Sequence, residues 1–345
     1  MCSPRFFFLL CFLVFYLPLN ESCKNKPSPP RTTTTSTAPP PPQVADDDEN
    51  EEAPDEDEDD IDEEDFDFMC DDFRTPIREK RLPGVVVIGA RKGGTRALIE
   101  FLKLHPLLKS SGPEIHYFDC PKKFSLGLSW YRDQMPILEE NQIAMEKTPG
   151  YFHTPHVPDR IKQTLPDAKF LLIVRDPVKR LVSDYNQFRS QNMAKGETYP
   201  KLEEFIFTKS GNINTKYPPL TRSIYHLHLA RWYNVFPKSS IYVVDGDTFI
   251  REPWEELKKV ERFLKVYPHI ESRNFYFNET KGFYCARDIR SKGIWECARN
   301  KCLSKSKGRQ KPPVDPQTLI TLRQYFRAHN KIFESMINRT FTWDD

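Results

Sequence analysis

Residues 85–96, Val-Val-Val-Ile-Gly-Ala-Arg-Lys-Gly-Gly-Thr-Arg, join an apolar β-branched run to two glycines and a cationic segment. The run predicts a buried strand, and the glycines predict a tight turn into a helix that begins near Thr95. Such a helix directs its first backbone N–H groups and the positive end of its dipole toward an anion. Lys92 and Arg96 add positive charge, and Thr95 adds a hydroxyl group. This chemistry suits a phosphate or sulfate ester, although glycine-rich turns also occur in α/β sheets that bind no ligand there.

The order of residues in this glycine loop differs from that of the nucleotide-binding P-loop, in which the lysine follows the last glycine. Here Lys92 precedes Gly93 and Gly94. The segment is therefore P-loop-like only in its strand-loop-helix arrangement. A lumenal kinase would also need acidic metal ligands, and the sequence offers no convincing metal-ligand cluster.

A second cationic position follows another apolar run, where Arg175 comes directly after residues 170–174. Ser183 lies about two helical turns further on, and an arginine fork with a hydroxyl group forms a good phosphate site. The alternative is a surface arginine beside Asp176, which would cap a helix. Together with the glycine loop, Arg175 predicts a ligand with two separate anionic groups. A further basic segment, which is either a lid over phosphates or a solvated loop, contains Lys307, Gly308 and Arg309.

Glu114 and His116 lie two residues apart between these two apolar runs. In an extended segment their side chains point to the same face, and a carboxylate beside an imidazole can act as a general base. A paired surface strand would show the same spacing. Lys147, directly after Glu146, offers a further cation on a turn.

The apolar runs alternate with amphipathic segments along the chain, which predicts an α/β fold with a central parallel sheet flanked by helices. Ligands in such sheets bind at the carboxyl ends of the strands, which is where the glycine loop and Arg175 are expected. Strands are predicted at 85–88, 170–174 and 241–244, and helices at 95–104, 178–189, 223–235, 254–264 and 316–337.

The formal net charge of +2 conceals a strong asymmetry along the chain. Residues 1–72 contain 20 acidic and 4 basic side chains, which leaves 29 acidic and 47 basic side chains, a net charge of +18, in residues 73–345. A strongly basic globular part attracts a polyanion, such as nucleic acid or a sulfated glycan.

The N-terminus carries a cation at Arg5 and an apolar run at residues 6–19. This run is short for a membrane span and suits the core of a signal peptide, so residues 1–22 are either a cleaved signal or a short anchor. Either one directs the protein into the secretory pathway, which argues against nucleic acid as the polyanion. Sequons for N-glycosylation, which fit that compartment, begin at Asn20, Asn278 and Asn338.

Two segments of biased composition separate the leader from a globular domain predicted at 73–345. Residues 23–45 are rich in Pro and Thr, which is typical of an extended stalk. Residues 46–72 carry 19 acidic side chains, whose mutual repulsion favours disorder. This acidic segment is either a solvating spacer or an intramolecular mimic of the polyanion.

The eight cysteines include a cluster near the end of the chain, formed by Cys285, Cys297 and Cys302. In an oxidising lumen two of the three are expected to form a local disulfide, and the alternative is three free thiols. Their spacing, without a partner set of Cys and His, argues against a zinc site.

Several ordered motifs of the globular part resemble the heparan sulfate glucosamine 3-O-sulfotransferases. They lie at 91–96, 114–119, 146–149, 175–177, 183–185, 244–247, 281–285 and 306–309. The resemblance runs from about Pro83 to Trp343. The motif at 114–119, Glu-Ile-His-Tyr-Phe-Asp, separates this family from the related N-sulfotransferases, which lack the histidine.

The resemblance implies the PAPS-dependent sulfotransferase fold and a Golgi enzyme that acts on heparan sulfate or heparin with 3′-phosphoadenylyl sulfate (PAPS) and without a metal. PAPS has two anionic ends, in agreement with the two anion sites. The resemblance implies contacts to PAPS from four groups of residues. The 5′-phosphosulfate would be bound by Lys92, Gly93, Gly94, Thr95 and Arg96, and the 3′-phosphate by Arg175 and Ser183. The nucleotide would be covered by Lys307, Gly308 and Arg309, with Tyr284 near the adenine.

The resemblance also implies that Glu114 removes the proton of the glucosamine 3-hydroxyl. Lys92, Lys147 and His116 would stabilise charge on the transferring sulfuryl group and orient the base. The implied glycan contacts are Arg96, Asp119 and Gln187.

Matching to the family implies a Cys285–Cys302 bridge with Cys297 left over, although the segment between them is longer than is usual in the family. Two further departures from the family pattern bear on glycan specificity: Lys311 stands where the family usually has histidine, and Gly112 adds no side chain to the cleft.

Two other functions compete with 3-O-sulfation. One is sulfation at the nitrogen or the 6-hydroxyl, and the other is a non-catalytic heparin-binding protein.

Overall fold

The computed structural model describes residues 78–292, 295–303 and 313–343. The predicted leader, stalk and acidic segment at 1–22, 23–45 and 46–72 lie outside the described residues. So do Asn20, Lys307, Gly308, Arg309 and Lys311 and the side chain of Cys297.

The first described strand begins at Glu79, directly after Arg78. The described strands are β1 Glu79–Lys80, β2 Val85–Gly89, β3 Leu108–Ser110, β4 Ile137–Leu138, β5 Ile143–Lys147, β6 Lys169–Val174, β7 Ile241–Asp245, β8 Phe275–Asn278, β9 Phe283–Lys292 and β10 Trp295–Lys301.

The α-helices of the described residues connect and cover these strands. They are α1 Thr95–Leu102, α2 Pro121–Phe124, α3 Gly127–Asp133, α4 Val157–Thr164, α5 Pro177–Met193, α6 Leu202–Ile206, α7 Pro218–Thr221, α8 Tyr225–Val235, α9 Gly246–Arg251, α10 Pro253–Leu264 and α11 Pro316–Ile337.

The central sheet has five parallel strands in the order β3-β5-β2-β6-β7. Two of its interior strands, β2 and β6, are buried on both faces and consist almost entirely of apolar residues, as parallel strands under helices require. An antiparallel sheet β10-β9-β8 and a short pair β1-β4 complete the described strands. The predicted parallel sheet flanked by helices is therefore confirmed, with β3 and β5 added to it.

The two faces of the sheet pack into different hydrophobic cores because successive strand residues point in opposite directions. Val86 and Ile88 of β2 join a core that includes Trp232 of α8. Val85 and Val87 join a core that is completed by α1 and α10. The sheet is thus fixed from both sides, and its carboxyl edge is held in place by the helices that follow each strand.

Predicted helix bounds differ from the observed ones mainly at the ends. Helix α1 ends at Leu102 rather than 104, because the amide of His105 donates to the carbonyl of Leu102 in a tighter turn. Helix α5 begins one residue earlier than predicted, where the Asp176 carboxylate accepts the first free amides, and it continues four residues further to Met193.

Cys285 and Cys302 form a disulfide with a Cα–Cα distance of 4.7 Å, which is the pairing that the family resemblance implies. It joins the start of β9 to the segment that follows β10. Cys120, which the sequence analysis had not singled out, is also disulfide-bonded.

Candidate active site

The glycine loop connects β2 to α1 at the carboxyl edge of the sheet. Gly94, at the N-cap of α1, has φ 121°, and Lys92 has φ 67°. A Cβ on Gly93 would clash with the carbonyl oxygen of Ile173 in β6, so the loop lies against the neighbouring strand. No side chain caps α1, and its first amides therefore face the space in front of the loop.

Helix α5 closes one side of the glycine loop. The Nζ of Lys92 donates to Oε1 of Gln187 at 3.0 Å. Arg91 donates through Nε to Asp184 at 2.9 Å. Arg96, by contrast, is half-exposed and pairs with Glu100 one turn along α1 at 3.2 Å.

Arg175 lies directly after β6, one strand away from the glycine loop. Its backbone carbonyl accepts a hydrogen bond from the hydroxyl of Tyr225 at 2.8 Å. Its Nε is buried and has no hydrogen-bond partner among the described residues. A buried cationic N–H without a partner is costly, and an anion bound here would satisfy it. Ser183 lies half-buried two turns along α5, as the sequence spacing predicts.

Glu114 is held between two cationic side chains. The Nζ of Lys147, at the end of β5, donates to its Oε1 at 2.5 Å. Nε2 of His116 lies 3.4 Å from its Oε2. On the other side of the imidazole, Nδ1 contacts Oδ2 of Asp119 at 2.9 Å. These four side chains form a continuous chain, Lys147–Glu114–His116–Asp119, which we call the base chain.

Glu114 and His116 do not lie in the extended segment that the sequence analysis assumed. They lie in a loop, and His116 has φ 57°, in the left-handed region. The two side chains still meet, because the turn at His116 brings its ring back beside the carboxylate. Asp119 is fully buried, and a Cβ on Gly150 would lie 2.5 Å from its Oδ2, so a close backbone approach confines this carboxylate.

The base chain shifts the pKa values of its members in opposite directions. Burial would raise the pKa of Glu114, but the hydrogen bond from His116 and the charge of Lys147 outweigh it and lower that pKa to about 2. Burial would lower the pKa of His116, but its bonds to Asp119 and Glu114 outweigh it and raise that pKa to about 9. At neutral pH the site therefore holds an ionised carboxylate beside an imidazolium.

Comparison with known proteins identifies the arrangement. The family described as "Sulfotransferase domain" matches residues 82–338. Mouse heparan sulfate glucosamine 3-O-sulfotransferase 5 is 43% identical over 265 residues, which cover 76% of this chain and 75% of the relative. Mouse heparan sulfate glucosamine 3-O-sulfotransferase 3A1 is 40% identical over 267 residues, 77% of this chain and 65% of the relative.

The chain belongs to the sulfotransferase family, among the heparan sulfate glucosamine 3-O-sulfotransferases. The crystal structure of a sulfotransferase from Alicyclobacillus acidocaldarius superimposes with a TM-score of 0.56 and 18% identity. That superposition covers 77% of this chain and 100% of the bacterial one, and it supports the sulfotransferase fold.

The sulfotransferase site also contains a buried cluster that the sequence analysis missed. The carboxylate of Asp184 accepts hydrogen bonds from Arg91, Arg180 and Arg222 at 2.9, 3.0 and 3.3 Å. Arg180 is fully buried and also donates to the backbone carbonyl of Arg91 in the glycine loop. The i, i+4 spacing of Arg180 and Asp184 is visible in the sequence, but it is typical of a solvated helix face.

The remaining predicted residues lie around this centre or on the surface. Tyr284 in β9 packs edge-on against Trp254, with ring centroids 5.3 Å apart. Asn278 ends β8, where its Oδ1 accepts the amide of Lys281. Asn338 is the exposed left-handed C-cap of α11.

The described residues of the enzyme lack both a metal-binding cluster and a membrane-spanning helix. No group of three or more His, Cys, Asp or Glu side chains there has the geometry to hold a metal ion. Within the same residues, no helix has both the length and the apolar character needed to cross a membrane.

Proposed function

We propose that this sulfotransferase transfers a sulfuryl group from PAPS to the 3-hydroxyl of glucosamine units in heparan sulfate. The observation that carries the proposal is a carboxylate, Glu114, fixed between Lys147 and His116. Lys147 ends β5, which pairs in parallel with β2, the strand that leads into the glycine loop. The named activity of relatives that align with three quarters of the chain supports the same substrate and position. The net charge of +18 on residues 73–345 suits a sulfated polysaccharide.

The glycine loop and Arg175 fit the two anionic ends of PAPS. The uncapped start of α1, with Gly93, Gly94, Thr95 and the cations Lys92 and Arg96, would hold the 5′-phosphosulfate. The buried, unpartnered Nε of Arg175, with Ser183, would hold the 3′-phosphate. Contacts of Tyr284, Lys307, Gly308 and Arg309 with the nucleotide remain part of this proposal.

Bound PAPS supplies an activated sulfuryl group, and the residues of the chain supply the acid–base chemistry. Glu114 takes the proton of the sugar hydroxyl as the new S–O bond forms, since a neutral hydroxyl is a poor nucleophile. Lys92, Lys147 and His116 are fixed cations that stabilise the charge on the sulfuryl oxygens. In-line transfer between two bound substrates requires positioning rather than a covalent enzyme intermediate.

The glycan side of the cleft has three candidate contacts with different roles. Arg96 is half-exposed and available to a sulfate or carboxylate of the glycan, and Gln187 lies beside Lys92 at the cleft. Asp119 was expected to touch the glycan, but it is fully buried with its carboxylate on His116. We therefore assign Asp119 to orienting the imidazole.

The secretory pathway, with the Golgi lumen as the working compartment, is the location that fits this substrate. The N-terminal apolar run, as a cleaved signal or an anchor, supports that location. The exposed sequon at Asn338 is an accessible glycosylation site.

The test is transfer of labelled sulfate from PAPS to heparan sulfate by the purified full chain, followed by disaccharide analysis. Glu114→Gln should lower turnover by roughly two to four orders of magnitude. Glu140→Gln, at an exposed glutamate, is the matched control. Label on the glucosamine 3-hydroxyl that Glu114→Gln abolishes supports the proposal.

Three other results would contradict parts of it. Label on the nitrogen or the 6-hydroxyl overturns the position of sulfation. Near-normal turnover of Glu114→Gln overturns the base. Absence of transfer with intact glycan binding favours a non-catalytic heparin-binding protein.

A further inference from the structure

A fully buried carboxylate, Glu146, lies behind the base chain without contacting the proposed reacting groups. It precedes Lys147 in β5, and its exposed fraction is 0%. The hydroxyl of Tyr131 donates to its Oε2 at 2.8 Å, and the hydroxyl of Thr148 donates to its Oε1 at 2.5 Å. A buried carboxylate is costly unless it is fully hydrogen-bonded, so its presence here calls for a role.

Thr148 connects this carboxylate to the base chain. Its Oγ1 accepts the backbone amide of His116 at 3.3 Å. A hydroxyl group has one proton to donate. Because Thr148 donates that proton in its hydrogen bond to Glu146, the lone pairs of Oγ1 remain to accept the His116 amide. The hydrogen bonds therefore run in one direction, from the His116 amide to Thr148 and from Thr148 to Glu146.

His116 needs such support because of its backbone conformation. A left-handed φ of 57° is unfavourable in a residue with a Cβ, because the Cβ comes too close to the following carbonyl oxygen. In this conformation the ring reaches both Asp119 and Glu114. In the extended alternative the backbone would no longer turn the ring toward both carboxylates at once.

We propose that Glu146 and Thr148 are positioning residues for the catalytic base: the carboxylate orients the Thr148 hydroxyl, which fixes His116 in the conformation that presents its ring to Glu114. The inference rests on the proposed role of Glu114. Both side chains are fully buried, which leaves no surface for a substrate to contact, so both act through His116.

The ionisation of Glu146 is set by several groups that face it. Burial is the main cause that raises the pKa of Glu146 to about 7, and the negative charge of Asp119 also raises this pKa. The hydrogen bonds from Thr148 and Tyr131 and the charge of His116 lower it, but they do not outweigh burial. Tyr151, which is fully buried, also faces the carboxylate. Once protonated, Glu146 carries a proton of its own that competes with the two hydroxyl donors. As pH falls through about 7, Glu146 therefore no longer fixes the direction of the hydrogen bonds from the His116 amide to Thr148 and from Thr148 to Glu146.

Thr148→Val is the first variant, because valine keeps the shape of threonine and removes only the hydroxyl. It should lower kcat roughly tenfold, the equivalent of one buried hydrogen bond, and leave the affinity for adenosine 3′,5′-bisphosphate within twofold of wild type. Thr148→Ser, which restores the hydroxyl, should recover most of kcat. Thr164→Val is the matched control, since the Thr164 hydroxyl donates only within α4 and its turn, to Arg160 and Ile161.

Glu146→Gln tests the ionised form. The wild-type kcat/KM should fall as pH drops through the Glu146 pKa of about 7. This range is well separated from the pKa of His116, which is raised to about 9, and from that of Glu114, which is lowered to about 2. Glu146→Gln should be less active at pH 8 and should lack that acid limb. A variant that retains the wild-type acid limb would overturn the role of Glu146.

The outcomes separate this inference from the proposed function. Normal kcat in Thr148→Val, or equal losses in Thr148→Val and Thr148→Ser, overturns the positioning role even when Glu114→Gln is inactive. A loss of nucleotide affinity that parallels the loss of kcat would indicate a general structural role and would also overturn it. Normal turnover of Glu114→Gln overturns the proposed base itself.

Discussion

Replacing Asp184 with asparagine removes a carboxylate that contacts three arginines. Asp184 and Arg180 are both fully buried, whereas the side chains of Arg91 and Arg222 are 32% and 20% exposed. Water can partly solvate those two arginines when the carboxylate is neutralised. Arg180 cannot be reached by water and would keep its charge without a counter-ion.

The loss in the free energy of unfolding depends on the hydrogen-bond acceptors that Arg180 keeps in the variant. Removing one partner of a buried ion pair costs about 3–5 kcal/mol. Arg180 keeps neutral acceptors in the hydroxyl of Ser223 and the carbonyls of Arg91 and Pro219, which favours the lower end, about 3 kcal/mol. For a domain of this size such a loss lowers Tm by roughly 6–12 °C.

Thermal unfolding followed by circular dichroism, for wild type and Asp184→Asn, measures this effect directly. Asp167→Asn, at an exposed aspartate, is the matched control and should leave Tm unchanged. Burial raises the pKa of Asp184, but the three arginines outweigh it and hold that pKa below its ordinary value. The advantage of wild type should therefore be complete above pH 4 and shrink as pH falls below it. A Tm shift of less than about 2 °C at neutral pH would refute the reasoning.

Three further predictions concern other parts of the site. Gly93→Ala forces the glycine loop away from the carbonyl of Ile173, so titration calorimetry should find at least tenfold weaker binding of adenosine 3′,5′-bisphosphate; unchanged affinity would contradict the close approach. Cys285→Ser opens a disulfide with a sequence separation of 17 and should cost about 3 kcal/mol in urea unfolding, and an unaltered midpoint would argue against it. The stabilisation from His116 should be complete below pH 6.5 and disappear as pH rises through about 9; a Tm difference between wild type and His116→Gln that persists at pH 10 would disprove this.

The sequence predicts three strands of the central sheet, β2, β6 and β7, and misses β3 and β5, for a physical reason. Strands β2 and β6 are buried on both faces and form uninterrupted apolar runs. Strand β5 ends in two charged residues, Glu146 and Lys147, so its pattern does not indicate a buried strand. The strand order depends on contacts between distant segments and leaves no local signal.

The candidate site likewise contains features that the sequence predicts and features that it does not. Glu114, His116 and Lys147 are predictable because their chemical types and spacing match the reaction. The left-handed turn at His116 is not predictable, because the hydrogen bond that its amide donates is to Thr148, 32 residues away in the sequence. The Asp184 cluster is missed because arginines and an aspartate on a helix usually face water, and only tertiary packing buries them.

The low pKa of Glu114 links the binding of the sulfate donor to the activation of the sugar hydroxyl in the proposed mechanism. A carboxylate with a pKa of about 2 is a weak base toward a sugar hydroxyl, so the base chain alone is poorly matched to proton abstraction. Lys147 and His116 cause the low value, and they are the same cations that would stabilise a sulfuryl group. Any anion that draws the charge of Lys147 toward itself must therefore raise the pKa of Glu114. The base becomes strong when the electrophile is in place, and the physical link between the two events is a single lysine at the end of β5.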